Sequence, residues 1–192
     1  MRPRHYDIIN SSSALFNREG YLTPSIDRIS EAAGISKMTF YRYFHDKESL
    51  IKCILEEKHK VFILELKSAV NLHSTVKDKL FSIFNFYQDW FAKENYHGCM
   101  FSRAVIELGN SMPSINAIVY KFKSDLYQLI RIILLDCFDT VKADRIAYVI
   151  LMLIDGAISL SQTMDKENRE FAPAMTAWAT AKTIIAAEGG VV

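Results

Sequence analysis

The chain has 192 residues, 50% hydrophobic and 23% charged, with 7 Gly, 4 Pro and a formal net charge of +1. That length holds one large domain or two small ones with a real core, and an apolar half excludes disorder. Gly and Pro are about half as frequent as in an average chain, too few for the turn-rich spacing of a β-sandwich or barrel. The near-zero charge shows none of the basic excess that usually marks a nucleic-acid binder. Cys53, Cys99 and Cys137 are odd in number and far apart, which gives neither a disulfide framework nor a CxxC metal site and suits a reducing cytoplasm. The N-terminus has basic residues but no apolar run of the kind a signal peptide needs. The most membrane-like stretch is 146–164, whose pure apolar run, Ile146 to Ile154, stops at Asp155. That run is far short of the ~20 residues that span a bilayer, so a buried helix in a soluble protein is expected, with no membrane partner.

In chain order, Pro3, Pro24, Pro113 and Pro173 each stand just inside the start of a periodic apolar segment. Gly20, Gly34, Gly98 and Gly109 stand near segment ends, where a left-handed cap suits glycine. The pattern predicts about nine helices, at 4–18, 25–33, 36–43, 47–70, 75–94, 99–109, 113–137, 143–164 and 173–187, and an all-α fold. Ile8, Ile9, Leu15 and Phe16 stripe the first helix, and Ile26, Ile29 and Ala33 the second, enough to close a small separate core. A domain at 1–50 is therefore expected, followed by a larger helical body at 51–192.

The stretch from Thr23 to Phe44 reads as a helix, a tight turn at Gly34 and a second short helix. Ser30, four residues before Gly34, is small where two steeply crossing helices approach each other. Phe40 and Phe44 lie four apart and face inward, which leaves Ser36, Lys37, Thr39, Tyr41 and Arg42 on the outer side. Cations, hydroxyls and a phenol on one surface suit phosphate oxygens and base edges. In a helix-turn-helix the second helix enters the major groove.

The segments Gly20-Tyr-Leu-Thr-Pro-Ser-Ile-Asp-Arg-Ile, Ala-Ala-Gly-Ile-Ser-Lys-Met-Thr-Phe-Tyr-Arg-Tyr-Phe44 and Asp46-Lys-Glu-Ser-Leu50 resemble the DNA-binding domain of TetR-family repressors, almost continuously over 6–52. The body is similar more weakly, through His97-Gly-Cys-Met-Phe and Asp155-Gly-Ala-Ile-Ser-Leu. The resemblance implies a cytoplasmic homodimeric repressor that holds double-stranded operator DNA and releases it when a small molecule enters the body. It also implies DNA contacts from Lys37, Thr39, Tyr41, Arg42 and Tyr43, with Lys47 reaching a phosphate. Two positions depart from the family pattern. Pro24 replaces a helix-capping Thr, so Thr23 or Ser25 must supply the cap. Met38 replaces a small residue of the second helix, where it either meets a thymine methyl or narrows the approach. The expected DNA-binding set is Ser36, Lys37, Met38, Thr39, Tyr41, Arg42, Tyr43 and Lys47.

The body carries Leu80, Phe81, Phe84, Phe86, Tyr87, Trp90 and Phe91 around nearly the whole circumference of one helix, the mark of a buried helix. Polar residues lie scattered among the apolar ones, and pockets are typically apolar with a few placed polar groups. With the family resemblance, this makes Phe84, Gln88, Phe101, Glu107 and Asp155 candidates for binding a hydrophobic or aromatic effector of unknown identity. Ala174, Ala177, Trp178, Ala181, Ile184 and Ile185, with Gly156, Ala157 and Ser159, form small-residue stripes that suit a dimer through helices 143–164 and 173–187. No cofactor is expected.

The competing reading is a di-iron helical-bundle enzyme, from Glu56-x-x-His59 and Glu94-x-x-His97. Charged neighbours put the first motif on a solvated surface, and the second abuts Gly98. A helical interaction module without DNA is the other alternative, separated by salt-dependent DNA binding. Residues 1–52 hold eight Lys/Arg against six Asp/Glu, so placement of charge, not its excess, carries the DNA reading.

Overall fold

Each expected apolar repeat becomes a helix in the computed structural model, which describes residues 5–163 and 172–191. Among these residues the elements are α1 (His5–Glu19), α2 (Ile26–Ala32), α3 (Lys37–Tyr43), α4 (Lys47–Asn71), α5 (Val76–Phe91), α6 (Met100–Leu108), α7 (Pro113–Leu134), α8 (Thr140–Thr163) and α9 (Pro173–Ala187), with no strand. Pro3, the expected first-helix start at 4 and the expected end at 164 lie outside the described residues. The largest boundary shifts are at the ends of α5 and α7, where turns replace the last expected helical residues, and at the start of α8, where the helix already begins at Thr140. Pro113 opens α7 and Pro173 opens α9, as a missing N–H allows. Pro24 does not enter α2; it precedes the cap residue Ser25, whose hydroxyl accepts the Arg28 N–H at 3.2 Å. Gly109 ends α6 in a right-handed conformation, not the left-handed one. Its lack of a side chain serves close approach instead, since a Cβ there would meet the Val105 carbonyl oxygen.

The chain forms two compact units, Met1–Val61 with Cys99–Phe122, and Phe62–Gly98 with Lys123–Val192. The first unit contains the expected 1–50 domain and adds to it the start of α4, all of α6 and the first part of α7. Its core is built on Ile8, Leu15, Phe16, Tyr21, Ile29, Phe40 and Leu50, all essentially inaccessible to solvent. Phe16 and Tyr21 rings meet at 5.3 Å, and Phe101 stacks on Phe122 at 3.8 Å. Burying such side chains stabilises the unit by roughly 1.5–3 kcal/mol each.

In the second unit α9 packs on both α5 and α8. Ala174, Ala177, Ala181 and Ile185 are buried there, and Trp178 packs against Phe81 and Phe84 at 5.9 and 5.6 Å. This corrects the expected association stripe on α9: those alanines let α9 approach its own chain. The outward face of α9 is instead Thr176, Ala179, Thr180 and Thr183. On α8 Ala157 is likewise buried, while Gly156 and Ser159 are exposed beside Tyr148, Met152 and Leu160, which are 59%, 65% and 55% exposed. By length and composition α8 is apolar enough to cross a membrane, and 33% of its most apolar window is buried within the chain. The expected all-round burial of α5 holds for Leu80, Phe84 and Tyr87 but not for Phe81, which is exposed, or for Phe86, Trp90 and Phe91, which are half-buried. The aromatic group continues from there, with half-buried Phe62 against Phe86 and Trp90, and Trp90 against the buried Tyr96 at 5.0 Å.

Candidate nucleic-acid interface

The turn between α2 and α3 fixes how α3 is presented. Gly34 takes φ +63°, and the Ile35 N–H donates to the Ser30 carbonyl at 2.9 Å. This is a six-to-one closure that ends α2 through a left-handed residue, where glycine avoids the Cβ penalty. Ser36 then caps α3, its hydroxyl accepting the Thr39 N–H at 3.1 Å. Within α3 only Phe40 is buried, and Phe44 follows it into the core at the C-cap. A seven-residue helix anchored by one side chain must expose the rest.

The exposed remainder is the set expected from the sequence. Ser36, Lys37, Met38, Tyr41, Arg42 and Tyr43 are exposed and Thr39 is half-buried, its hydroxyl 3.0 Å from that of Ser36. Met38 is 77% exposed, which no packing requirement explains. Tyr43 lies beside His5 at 5.9 Å, and His5 stacks on Phe44 at 5.3 Å. Arg42 has no ion pair among the described residues.

Two of the expected phosphate ligands already have partners. The Lys37 ammonium is 3.0 Å from the Asp27 carboxylate, a contact that holds its pKa above the ordinary lysine value. Lys47 donates to the Leu22 carbonyl at 3.0 Å; burial lowers its pKa, and the Glu107 carboxylate opposes that shift. Arg28 bridges Glu19 and Glu31, so it is occupied surface. Asp27 is the residue that sequence reasoning missed here; its position ten residues before Lys37 becomes informative only once Gly34 folds α3 against α2.

The expected effector residues divide between the units: Phe101 and Glu107 belong to the first, Phe84, Gln88 and Asp155 to the second. Both carboxylates have structural engagements. Glu107 accepts the N–H groups of Tyr21 and Leu22 at 2.7 and 3.1 Å, and Asp155 is exposed and ion-paired with Lys123. Phe84 is fully buried, and the Gln88 Oε1 is buried with no hydrogen-bond partner. Of the Glu-x-x-His motifs, Glu56, Glu94 and His97 are exposed, and His59 packs edge-on to Phe122. Among the described residues no group of three or more His, Cys, Asp or Glu is placed to hold a metal ion.

Residues 8–54 match the family model described as bacterial regulatory proteins, tetR family. The fatty acid metabolism regulator protein of Bacillus subtilis (strain 168) is 29% identical over 79 residues, a stretch covering 41% of this chain and 41% of that relative. A TetR-family transcriptional regulator from Streptomyces coelicolor superposes with a TM-score of 0.86 at 19% identity, over 95% of this chain and 94% of that one. A fatty acid degradation regulator from Bacillus halodurans superposes with a TM-score of 0.73 at 17% identity, over 98% of this chain and all of the other (100%). At these identities the two superpositions establish the shared fold.

Proposed function

We propose that this chain, whose residues 8–54 match the tetR family of bacterial regulatory proteins, is a DNA-binding transcriptional regulator, not an enzyme, and that it represses transcription from a near-palindromic operator. The reading rests on one observation above all: α3 exposes Ser36, Lys37, Met38, Tyr41, Arg42 and Tyr43 around a single buried anchor, Phe40. Backbone N–H groups and hydroxyls position such a helix on phosphates, while Tyr41, Arg42 and Met38 are long enough to reach base edges. Lys37 and Lys47 complete the phosphate contacts by exchanging their present partners for phosphate oxygens.

A homodimer doubles this small surface and sets two copies of α3 about one DNA turn (~34 Å) or a matched larger spacing apart. The exposed apolar residues of α8, with the threonine face of α9, supply the self-complementary surface that a two-fold dimer needs. The effector is a small hydrophobic molecule held in the second unit, where Phe84 gives an apolar wall and Gln88 an unsatisfied polar handle. The fatty-acid names of two relatives make free fatty acids and acyl thioesters of graded length the first effectors to try. Binding shifts the operator equilibrium by about 1–3 kcal/mol per site, the usual allosteric scale. This is the work of a cytoplasmic protein.

Footprinting on the intergenic DNA beside its own gene, with a salt titration, tests the reading. A protected two-fold site whose affinity falls steeply with salt is expected; salt-insensitive binding, or protection without symmetry, would overturn it. Loss of protection on adding an acyl ligand supports the effector class, and an unchanged footprint across the panel removes it.

A further inference from the structure

The α1–α2 connection is held at both ends of one residue. The Leu22 N–H donates to Glu107 at 3.1 Å, and its carbonyl accepts from Lys47 at 3.0 Å. The same Glu107 oxygen accepts the Tyr21 N–H at 2.7 Å, and the Tyr21 hydroxyl donates to the Met100 carbonyl at 3.1 Å. One turn earlier on α6, Arg103 donates to the Asn17 carbonyl at 2.8 Å and sits 3.6 Å from Glu107. Thus α6 takes up a C-terminal carbonyl of α1, one of the groups a helix end leaves unpaired, together with the N–H groups of the two loop residues Tyr21 and Leu22. Gly20 shows how tight the fit is: it adopts φ +80°, and a Cβ there would lie 2.8 Å from the Glu107 carboxylate.

These contacts all lie within the first unit, and they act on the segment that leads directly into Ser25 and α2. We infer that Glu107, braced by Arg103, is a positioning residue for α2 and α3: it fixes where the chain enters the helix-turn-helix and thereby the aim of the reading face. The DNA-reading unit is on this account incomplete at residue 50 and needs α6. Glu107 lies outside the proposed DNA contacts; it acts through the Tyr21 and Leu22 N–H groups. The inference rests on the reading of α3 as the DNA-reading helix.

Hydrogen exchange on the whole 192-residue chain without DNA is the first measurement, with wild type, Glu107→Ala, Glu107→Gln and Arg103→Met. In Glu107→Ala the Tyr21 and Leu22 amides lose their acceptor and should exchange at least about tenfold faster, with faster exchange spreading through α2 and α3 while α8 and α9 stay unchanged. Glu107→Gln keeps an acceptor oxygen and should stay within about twofold of wild type. The second measurement is affinity for the footprinted operator and for random-sequence duplex. Glu107→Ala should lose about tenfold on the operator and almost nothing on random duplex, a ratio that partial unfolding would not change.

Faster exchange confined to Tyr21 and Leu22, with operator affinity intact, would overturn the inference, because the contact would then be a local cap. So would a Glu107→Gln variant as impaired as Glu107→Ala, since charge and not geometry would be responsible. If Glu107→Ala does not fold, Arg103→Met carries the test, expected to be impaired about threefold in the same direction; wild-type behaviour there counts against the inference. A wild-type chain that protects no DNA defeats the proposed function, while the exchange arm still decides whether α6 positions α2 and α3.

Discussion

The outward faces of α3 and α8 carry opposite chemistries on the same plan. Each helix buries one side and leaves the other uncovered by its own unit. On α3 the uncovered side is hydroxyls, cations and phenols around Phe40; on α8 it is Tyr148, Met152 and Leu160 beside Gly156. An apolar surface left in water costs about 25 cal/mol per Å², whereas a polar one costs little until it meets a partner. The difference therefore separates two kinds of association: α8 has a reason to be covered permanently, and α3 to be covered only when a polyanion is present.

The largest effects come from removing what creates each face. Phe40 is the only buried residue of α3. Phe40→Ala should destabilise the first unit by about 3–5 kcal/mol in urea unfolding, with the second unit's transition unmoved. For α8, Met152→Glu with Leu160→Glu should leave the fold intact, since both side chains are largely exposed. Light scattering should then show a monomer, and operator affinity should drop by about 100-fold or more as the bivalent gain disappears. A variant that stays dimeric would mean that the exposed apolar row has some other partner, and the comparison would fail.

Next in size is Lys37→Ala, expected to weaken operator and random DNA alike by about tenfold. It should also reduce the slope of log affinity against log salt by about one per subunit. Tyr41→Ala should instead weaken operator binding several-fold while leaving random duplex nearly unchanged, because a phenol on a base edge carries sequence and an ammonium on phosphate does not. Equal effects of the two substitutions on both DNAs would erase the division of labour on α3.

How much of this was visible in the sequence differs between the same two faces. The α3 face is legible because its logic is local: Gly34 and the Phe40–Phe44 pair lie within eleven residues and turn most of the other positions outward. On α9 the direction of the face is not legible. Ala174, Ala177 and Ala181 mark close approach, but spacing alone does not say whether the neighbour is α5 and α8 of the same chain or a second chain. The structural partners of Glu107 are hidden for a similar reason. A carboxylate in an apolar helix looks like a pocket group until the loop that it caps, 85 residues away in sequence, is placed beside it. Long-range partners of single polar atoms have no periodicity to announce them.

The smallest predicted effect sharpens the α3 side most. Asp27 and Lys37 are both exposed and 3.0 Å apart, so the ammonium that should meet a phosphate is already neutralised by its own chain. Exposed pairs of this kind contribute little to stability, so the fold of Asp27→Asn should be unaffected. Its effect should appear in binding. With no carboxylate to leave, Lys37 is available at once, and affinity for both operator and random duplex should rise about two- to threefold. Asp27 could also act by repelling phosphates directly, and a double-mutant cycle separates the two. If Asp27 works by holding Lys37, the gain from Asp27→Asn vanishes in the Lys37→Ala background; if it repels DNA, the gain persists there. The ion-pair geometry predicts that it vanishes, which would make Asp27 a brake on indiscriminate DNA binding placed on the face that reads the operator.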